Sequence, residues 1–359
     1  MRIGISTGGG DAPGLNAVIR AAVLGSLNRG WEVCGIRRGF GGLLGDARIV
    51  DMDRDSVRGI THLGGTILGT TNRGNPFRWP MLGMDGEWVE EDRSGELLDS
   101  FRKHRFDGLI AVGGDGTLRI AHDLSERGLP VVGVPKTIDN DVGGTDYTFG
   151  FDTAVQTATE AIDKLHSTAE SHERVMVVEV MGRTAGWIAL TAGLAGGADV
   201  ILVPEVPFDI DKVCDKVRRR EATGRHFSIV VVAEGATSKD GEVVFQDVGE
   251  PGGVARLGGI GARVADAIAQ QTGKETRSLT LGHLQRGGSP TTRDRILGLR
   301  FGAAAVRAVE AGRFGVMVAL RGLDMAEIPL DAVKDEPRVV SRESELVLTA
   351  RDLGVALGD

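Results

Sequence analysis

The 359-residue sequence is poor in aromatic residues and has no excess of positive charge. Phe, Trp and Tyr together make up 4% of the residues, and the formal net charge at pH 7 is -8. A nucleic-acid-binding surface needs a basic stripe and stacking rings, so this composition argues against nucleic acid as a partner. Any anionic ligand must therefore be held by locally placed arginines.

Cysteine and long apolar runs are also scarce. The two cysteines, Cys34 and Cys214, have no Cys-x-x-Cys partner, so neither a disulfide framework nor a structural zinc site is available. No stretch approaches the roughly 18 apolar residues of a membrane span. The amino terminus shows no signal-type apolar region. We therefore expect a cytoplasmic protein with no membrane partner.

Glycine is abundant instead, at 54 residues, and falls at the ends of apolar runs. Apolar runs alternate with helical patterns along the chain, as in a predicted strand at 3–6 followed by a predicted helix at 15–28. The length exceeds the usual single-core limit. The pattern predicts an α/β fold with two doubly wound, largely parallel sheets, each a Rossmann-like three-layer sandwich. The segment 71–93, rich in Gly, Pro and charge, is predicted to be a long irregular loop.

Two carboxylates, an amide, a hydroxyl and an ammonium follow the short apolar run at 129–134. In open α/β sheets ligands bind at the carboxyl ends of strands, so Asp139 and Asp141 are predicted to line a crevice. Residues two apart in an extended loop point the same way. One carboxylate could thus remove a proton from a hydroxyl while the other holds Mg²⁺. An Asx-turn leaving the strand is the alternative.

Two glycine-rich loops, at 7–16 and 113–117, follow predicted strands and open helices. Glycines let the backbone approach a phosphate, and a helix amino terminus supplies free amides and a partial positive charge. Asp115 is placed to share a Mg²⁺ with phosphate oxygens, and Gly116 leaves room for the α-phosphate of a nucleotide. Tight turns without a ligand, with Asp115 as a helix N-cap, are the alternative.

Arginines stand at the ends or starts of several predicted strands. Guanidinium forks bind phosphate bidentately, so a cluster of them would hold a sugar phosphate in an otherwise acidic protein. His283 could hydrogen-bond the same phosphate, and Glu234 could accept sugar hydroxyls. For each residue alone, a surface ion pair or a structural role is the alternative. The candidate arginines are Arg174, Arg183, Arg277 and Arg286.

Taken in order, these motifs resemble those of the phosphofructokinases. The match runs from residue 3 to about residue 314, and its most specific pieces are Gly-Gly-Asp-Ala-Pro-Gly at 9–14, Gly-Gly-Asp-Gly-Thr at 113–117, Thr-Ile-Asp-Asn-Asp at 137–141, Met-Gly-Arg at 181–183 and Gln-Arg-Gly-Gly at 285–288. The resemblance implies a glycolytic kinase that phosphorylates fructose 6-phosphate at its C1 hydroxyl, with Mg²⁺ as cofactor. It also implies a homotetramer with active sites shared between subunits.

The resemblance further implies two domains with the active site in the cleft between them. A donor domain would hold residues 1–150 plus about 290–338, and a sugar-phosphate domain residues 151–289 plus about 339–359. Asp139 would be the general base, with Thr137 and Arg183 also catalytic, and Asp115 and Asp141 would be the Mg²⁺ carboxylates. The implied donor residues are Gly10, Arg73, Gly114, Asp115, Gly116, Thr117 and Lys136. The implied sugar-phosphate residues are Thr137, Asp139, Met181, Gly182, Arg183, Glu234, His283 and Arg286, completed by Arg174 and Arg277 from a neighbouring subunit.

The phosphoryl donor depends on two positions. In this family, glycine at 116 goes with ATP and lysine at 136 goes with pyrophosphate, so the combination resembles a mixed-substrate branch. ATP is favoured, because a carboxylate at 116 would exclude it, whereas Lys136 adds attraction and excludes nothing. Pyrophosphate-dependent transfer is the alternative.

Three departures from the family pattern are present. One extra residue precedes Arg73, and Arg119 and Ile120 stand where small residues are common. The basic effector cluster of typical bacterial members is incomplete, which predicts weak or absent control by ADP and phosphoenolpyruvate: Arg20, Arg54 and Arg225 are present, but Leu24, His166 and Thr223 replace the rest.

Other classes share single motifs with this sequence. NAD kinases and lipid kinases also carry Gly-Gly-Asp-Gly-Thr, but they would not need the segments 137–141 and 285–288 together. A binding-only regulatory subunit would be favoured by loss of the base, and Asp139 is present. A dinucleotide-dependent oxidoreductase would want an acidic residue after the second strand, where Arg37 and Arg38 stand.

Overall fold

The computed structural model describes residues 1–45, 47–83, 86–241, 245–247, 256–334 and 337–359. Its strands are β1 (Arg2–Thr7), β2 (Glu32–Ile36), β3 (Ile49–Met52), β4 (Trp79–Leu82), β5 (Trp88–Glu91), β6 (Gly108–Gly113), β7 (Val131–Thr137), β8 (Phe149–Gly150), β9 (Val175–Val180), β10 (Val200–Leu202), β11 (Ser228–Ala233), β12 (Phe245–Asp247), β13 (Arg256–Leu257), β14 (Thr276–Thr280), β15 (Val316–Arg321) and β16 (Asp324–Pro329). Its α-helices are α1 (Leu15–Leu27), α2 (Ser94–Lys103), α3 (Asp115–Glu126), α4 (Phe151–Ser171), α5 (Trp187–Ala195), α6 (Ile210–Ala222), α7 (Ile260–Thr272), α8 (Thr292–Glu310), α9 (Asp331–Lys334) and α10 (Glu345–Asp352).

The larger sheet is mainly parallel and has the strand order β16-β15-β7-β6-β1-β2-β3, with the short β8 paired to β7. Only β3 and β16, on the outer edges, run antiparallel to their neighbours. The chain leaves β1 toward β2 on one side, and β6 leads to β7 on the other. The carboxyl ends of β1 and β6 therefore frame a topological switch point, where ligands bind in doubly wound sheets.

Both faces of this sheet are covered, because alternate residues of its central strands enter two separate cores. In β6, Ile110 and Val112 join a core with α1 and α8, whereas Leu109 and Ala111 join the core on the other face. Such strands read as continuous apolar runs. Helix α1 buries a stripe at spacings of three and four, which includes Leu15, Val18, Ile19, Ala22 and Val23.

The smaller sheet is wholly parallel, with the order β10-β11-β9-β14. Val230 and Val232 of β11 enter a core with α6 and α7. On the other face, α5 approaches the sheet so closely that a Cβ on Gly193 would lie 2.7 Å from Ile201. The predicted α/β class with two doubly wound, largely parallel sheets is confirmed.

The described residues divide into two compact units. The first holds those within 1–152 and 286–337, and the second those within 153–285 and 338–359. Which unit binds the donor and which binds the sugar phosphate stays a prediction. Among the described helices, none is both long and apolar enough to cross a membrane.

The predicted irregular loop at 71–93 is wrong in part. Strands β4 and β5 form an antiparallel hairpin within it, although residues 84–85 lie outside the described residues. Pro80 misled the prediction, since proline is disfavoured inside sheets but tolerated on an edge strand. In a two-stranded hairpin both strands are edges, and the flanking Trp79, Trp88 and Val89 favour extended backbone.

Candidate active site

The first glycine loop joins the carboxyl end of β1 to helix α1. The Gly8 amide donates to the carbonyl of Val112 at the end of β6 (2.9 Å), and the Gly9 amide donates to the carbonyl of Thr71 (3.1 Å). Gly14 has φ 101°, a left-handed conformation that favours glycine and starts the helix. The loop is therefore tied down at the switch point of the larger sheet.

Two cations meet at this loop. Arg286 donates from Nη1 to the carbonyl of Asp11 at 3.2 Å, and a Cβ on Gly10 would lie 2.7 Å from the same nitrogen. Lys136, only 3% exposed, donates from Nζ to the carbonyl of Gly10. Burial, and then the nearby charge of Arg286, lower the pKa of Lys136 to about 8, while carboxylates such as Asp139 act in the opposite direction. A site that crowds two cations in this way is suited to an anion.

The second glycine loop joins β6 to α3, and its glycines serve different purposes. Thr117 is buried and packs closely against Gly113. A Cβ built on Gly113 would lie 2.3 Å from the Cβ of Thr117. Gly114 precedes the helix, and its carbonyl accepts the amide of Leu118 at 3.0 Å. Gly116, by contrast, faces open space, since a Cβ built there has no described heavy atom within 4 Å outside its chain neighbours and the backbone of its own helix. Packing therefore does not explain why residue 116 lacks a side chain.

Asp115, the predicted Mg²⁺ carboxylate of this loop, already has a counter-ion. Arg119, one helical turn later, places Nη2 at 2.9 Å from Asp115 Oδ2. Both side chains are partly exposed. The sequence showed Arg119 only as a departure from the family pattern, and the i,i+4 spacing is the signal that predicts this pair.

The segment after β7 is a turn rather than the expected extended loop. Strand β7 runs on to Thr137, whose Oγ1 accepts the amide of Asp139 at 3.0 Å. Asn140 has φ 54°, and its Oδ1 accepts the amide of Thr148 at 3.1 Å. The local bond that shapes this turn therefore comes from the hydroxyl of Thr137, two residues before Asp139, and Asp139 is only 3% exposed.

Three carboxylates share one electrostatic field at the ends of β6 and β7. Burial, then the charge of Asp139, then that of Asp115, raise the pKa of Asp141 to about 6. Oxygen ligands of this kind suit Mg²⁺, which commonly takes one or two carboxylates together with substrate phosphates and water. Among the described residues, no three His, Cys, Asp or Glu side chains form a metal-binding group on their own. The carboxylate oxygens themselves fit a Mg²⁺ ion that is shared with phosphate.

The second unit brings together three strand ends of the smaller sheet. After β9, the Met181 amide donates to Oε1 of Gln285, a fully buried side chain in the turn that follows β14 (2.9 Å). Arg183 has φ 52°, and its amide donates to Oε1 of Glu234 at the end of β11 (3.0 Å). Arg183 and His283 are exposed. Gln285 was not singled out from the sequence as a site residue, although it stands inside the motif at 285–288.

Two predicted sugar-phosphate residues lie elsewhere on this sheet. Arg174 directly precedes β9 and Arg277 is the second residue of β14, so both lie at the amino ends of their strands. At about 3.3 Å per residue, the length of β9 puts Arg174 roughly 20 Å from Met181. Within one chain these arginines do not join the cluster at the carboxyl ends. Glu275 pairs with both of them.

A basic cavity near the end of β2 was missed by the sequence reasoning. It is lined by Arg38, Arg48 and Arg73, together with Thr71 and Trp79. Thr71 bonds both backbone groups of Arg73, accepting its amide at 3.0 Å and donating to its carbonyl at 2.7 Å. The available signal was the pair of arginines directly after β2, which was used only to argue against an adenosine ribose.

Comparison with known proteins agrees with this geometry. The family model for phosphofructokinase matches residues 2–309. The ATP-dependent 6-phosphofructokinase of Chloroflexus aggregans is 53% identical over 361 residues, covering 100% of this chain and 98% of that protein. The pyrophosphate–fructose 6-phosphate 1-phosphotransferase of Amycolatopsis methanolica is 52% identical over 346 residues, covering 96% and 97%.

Solved structures agree as well. The phosphofructokinase of Saccharomyces cerevisiae superposes with a TM-score of 0.77 at 32% identity. The match covers 93% of this chain and 45% of that one, so this chain spans less than half the length of the yeast protein. Because the family match covers most of the chain and full-length relatives share more than half of its residues, the chain belongs to the phosphofructokinase family.

Proposed function

We propose that this chain is an ATP-dependent 6-phosphofructokinase, which transfers a phosphoryl group to the C1 hydroxyl of fructose 6-phosphate in glycolysis. One observation carries the proposal: Lys136 and Arg286 converge on the first glycine loop, beside a field set up by Asp115, Asp139 and Asp141. Phosphoryl transfer needs positioning and charge neutralisation rather than a covalent nucleophile. This arrangement supplies both.

Asp139 is the general base in this proposal. It takes the proton of the C1 hydroxyl as the oxygen forms its bond to the γ-phosphorus, while the bond to the leaving ADP oxygen breaks. Its burial and the hydrogen bond from its amide to Thr137 support this role, because both fix the carboxylate at one place. Lys136 and Arg286 would offset the charge of the donor phosphates.

Asp115 and Asp141 would hold Mg²⁺. The bound ion would neutralise charge on the phosphate groups of the donor. The raised pKa of Asp141 supports this assignment, because it reflects burial of the carboxylate and then repulsion by Asp139 and Asp115, and a divalent cation would offset both effects. Arg119 would lose its partner when the ion binds Asp115, so it would be free to contact the donor.

ATP is the proposed donor and pyrophosphate the alternative. Relatives named for the two donors are almost equally similar to this chain, so overall identity does not choose between them. The open space in front of Gly116 supports ATP, since it leaves room for the α-phosphate. Lys136 suits either donor, because it lies against the loop that would hold the phosphate nearest the reaction.

The sugar phosphate would be bound by the second unit. Met181, Gly182, Arg183, Glu234 and His283 would contact it at the carboxyl ends of the strands. Arg286, which follows β14 in the chain and donates to the carbonyl of Asp11, is also a proposed sugar-phosphate residue. Arg174 and Arg277, at the amino ends, would serve a neighbouring subunit of a homotetramer with shared active sites. The proposed location is the cytoplasm.

The decisive test is the formation of fructose 1,6-bisphosphate from fructose 6-phosphate and Mg²⁺, with ATP or pyrophosphate as the sole donor in parallel reactions. Turnover with ATP supports the proposal, and turnover with pyrophosphate alone transfers it to the alternative. Lack of turnover with both would refute it. The Asp139→Asn variant, purified identically, controls for contaminating kinase.

A further inference from the structure

One carboxylate holds two of the predicted phosphate-binding arginines in the second unit. Glu275 lies directly before β14, and its Oε1 accepts from Nη2 of Arg174 at 2.9 Å and from Nη2 of Arg277 at 2.6 Å. The backbone fixes this arrangement. The Val175 amide donates to the Glu275 carbonyl at 3.0 Å, and Arg277 pairs with Met176 across the β9-β14 ladder.

The charge of the two arginines is only half offset by this partner. Two guanidinium groups that share one carboxylate oxygen lie side by side, so the three side chains together carry one net positive charge. Hydrogen bonding from Arg174 holds the pKa of the Glu275 carboxyl below its usual range. Nε of Arg174 is buried and has no hydrogen-bond partner among the described residues. Arg277 is 59% exposed and accessible to a ligand.

We propose that Glu275 is a positioning residue that draws Arg174 and Arg277 into one preformed clamp for the phosphate of the sugar substrate. The inference rests on the proposed function, because the phosphate in question is that of fructose 6-phosphate. Glu275 itself does not contact the phosphate, since two like charges would repel. Its effect is to order two long side chains before the ligand arrives.

Preorganisation determines the sign of the expected effect. Arginine side chains are flexible, and ordering them on binding costs affinity that a prior constraint avoids. Exposed ion pairs contribute little to folding stability. Loss of Glu275 should therefore weaken phosphate binding while leaving the melting temperature unchanged. A carboxylate that merely competed for the arginines would have the opposite effect on binding.

The test is Glu275→Gln, which keeps the size and one acceptor oxygen but removes the charge. We expect the KM for fructose 6-phosphate to rise roughly tenfold, while kcat and the KM for the donor stay within about twofold. Glu275→Ala should give at least the same rise. The matched control is Glu310→Gln, because Glu310 is also a half-exposed partner of one arginine, Arg29 at 2.7 Å, and should show no change.

Binding of inorganic phosphate by calorimetry tests the clamp without turnover, and it should weaken in parallel. A fall in KM, or no change in KM and phosphate affinity with both variants, would overturn the inference. So would a parallel loss of donor affinity and thermal stability, which would indicate a structural role. A wild-type protein that binds phosphate more tightly than Glu275→Gln but fails to phosphorylate fructose 6-phosphate would instead refute the proposed function.

Discussion

Replacing Gly116 by Asp should separate the two phosphoryl donors. A Cβ built at this residue has no described heavy atom within 4 Å outside its chain neighbours and the backbone of its own helix, and the φ of the residue lies outside the left-handed region. It is the second residue of α3, where a carboxylate interacts favourably with the helix dipole and glycine is a poor helix former. The variant should therefore fold and melt like the wild type.

The effect on ATP can be estimated from Coulomb's law. A carboxylate about 5 Å from an α-phosphate charge, at an effective dielectric constant near 20, costs about 3 kcal/mol. That corresponds to a loss of roughly a hundredfold in kcat/KM for ATP. Pyrophosphate has only two phosphate groups and lacks a group that corresponds to the α-phosphate of ATP. Its kcat/KM should therefore change by less than about threefold.

The assay is fructose 1,6-bisphosphate formation with each donor at saturating Mg²⁺ and fructose 6-phosphate. Gly95→Asp is the matched control, because Gly95 is the second residue of α2 and also has no described atom within 4 Å of a built Cβ. Equal loss with both donors, or a similar loss in the control, would refute the steric and electrostatic account of residue 116.

Three further predictions concern the residues around the donor loop. Asp139→Asn should lower kcat by about two to four orders of magnitude while changing the KM for fructose 6-phosphate by less than about threefold, as steady-state kinetics would show; near-normal turnover would remove it as the base. Burial lowers the pKa of Lys136 from 10.5 to about 8. Below pH 8 the buried charge therefore lowers the free energy of unfolding by roughly 3 kcal/mol, and this loss of stability disappears as the pH rises to 10.5. Lys136→Met should thus raise the free energy of unfolding at pH 7 by about 1–2 kcal/mol, once the lost hydrogen bond to Gly10 is subtracted. It should not raise the free energy of unfolding at pH 10.5. An equal gain at both pH values in denaturant titrations would contradict this. Because the pKa of Asp141 is raised to about 6, its charge is lost as the pH falls through 6. Mg²⁺ affinity, measured by calorimetry in the presence of donor, should then fall about tenfold more in the wild type than in Asp141→Asn between pH 7.5 and 5.0, since the donor phosphates titrate alike with both proteins.

The sequence predicted the central strands and the residues at their ends well, because fully buried parallel strands leave an unambiguous apolar signal. The predicted strand at 3–6 lies within β1, and the predicted helix at 15–28 corresponds to α1. Prediction failed where edge positions and local pairing decide the structure. The hairpin β4–β5 depends on cross-strand contacts, and the turn at Asn140 depends on a hydrogen bond to Thr148, eight residues away.

Pairs of charges were the hardest feature to predict. Arg119 and Asp115 are four residues apart on one helix, so their pairing was open to sequence reasoning. Glu275, by contrast, meets Arg174 only because β14 lies beside β9 in the sheet, a strand order that periodicity does not reveal. The approach of Arg286 to the first glycine loop likewise joins residues 275 positions apart.

In the proposed reaction, donor choice would depend on the missing side chain at Gly116 and on the side chain of Lys136, and the two would act differently. A carboxylate at 116 would exclude a ligand by repulsion, so glycine there permits ATP without attracting it. Lys136 attracts any phosphate that reaches Gly10, and its lowered pKa means that a bound anion would also raise its protonation. Donor binding should therefore be accompanied by proton uptake near pH 8 with either donor. Residue 116 should instead determine whether a donor as large as ATP can bind. Proton uptake that occurred with one donor alone would show that Lys136, and not Gly116, selects between them.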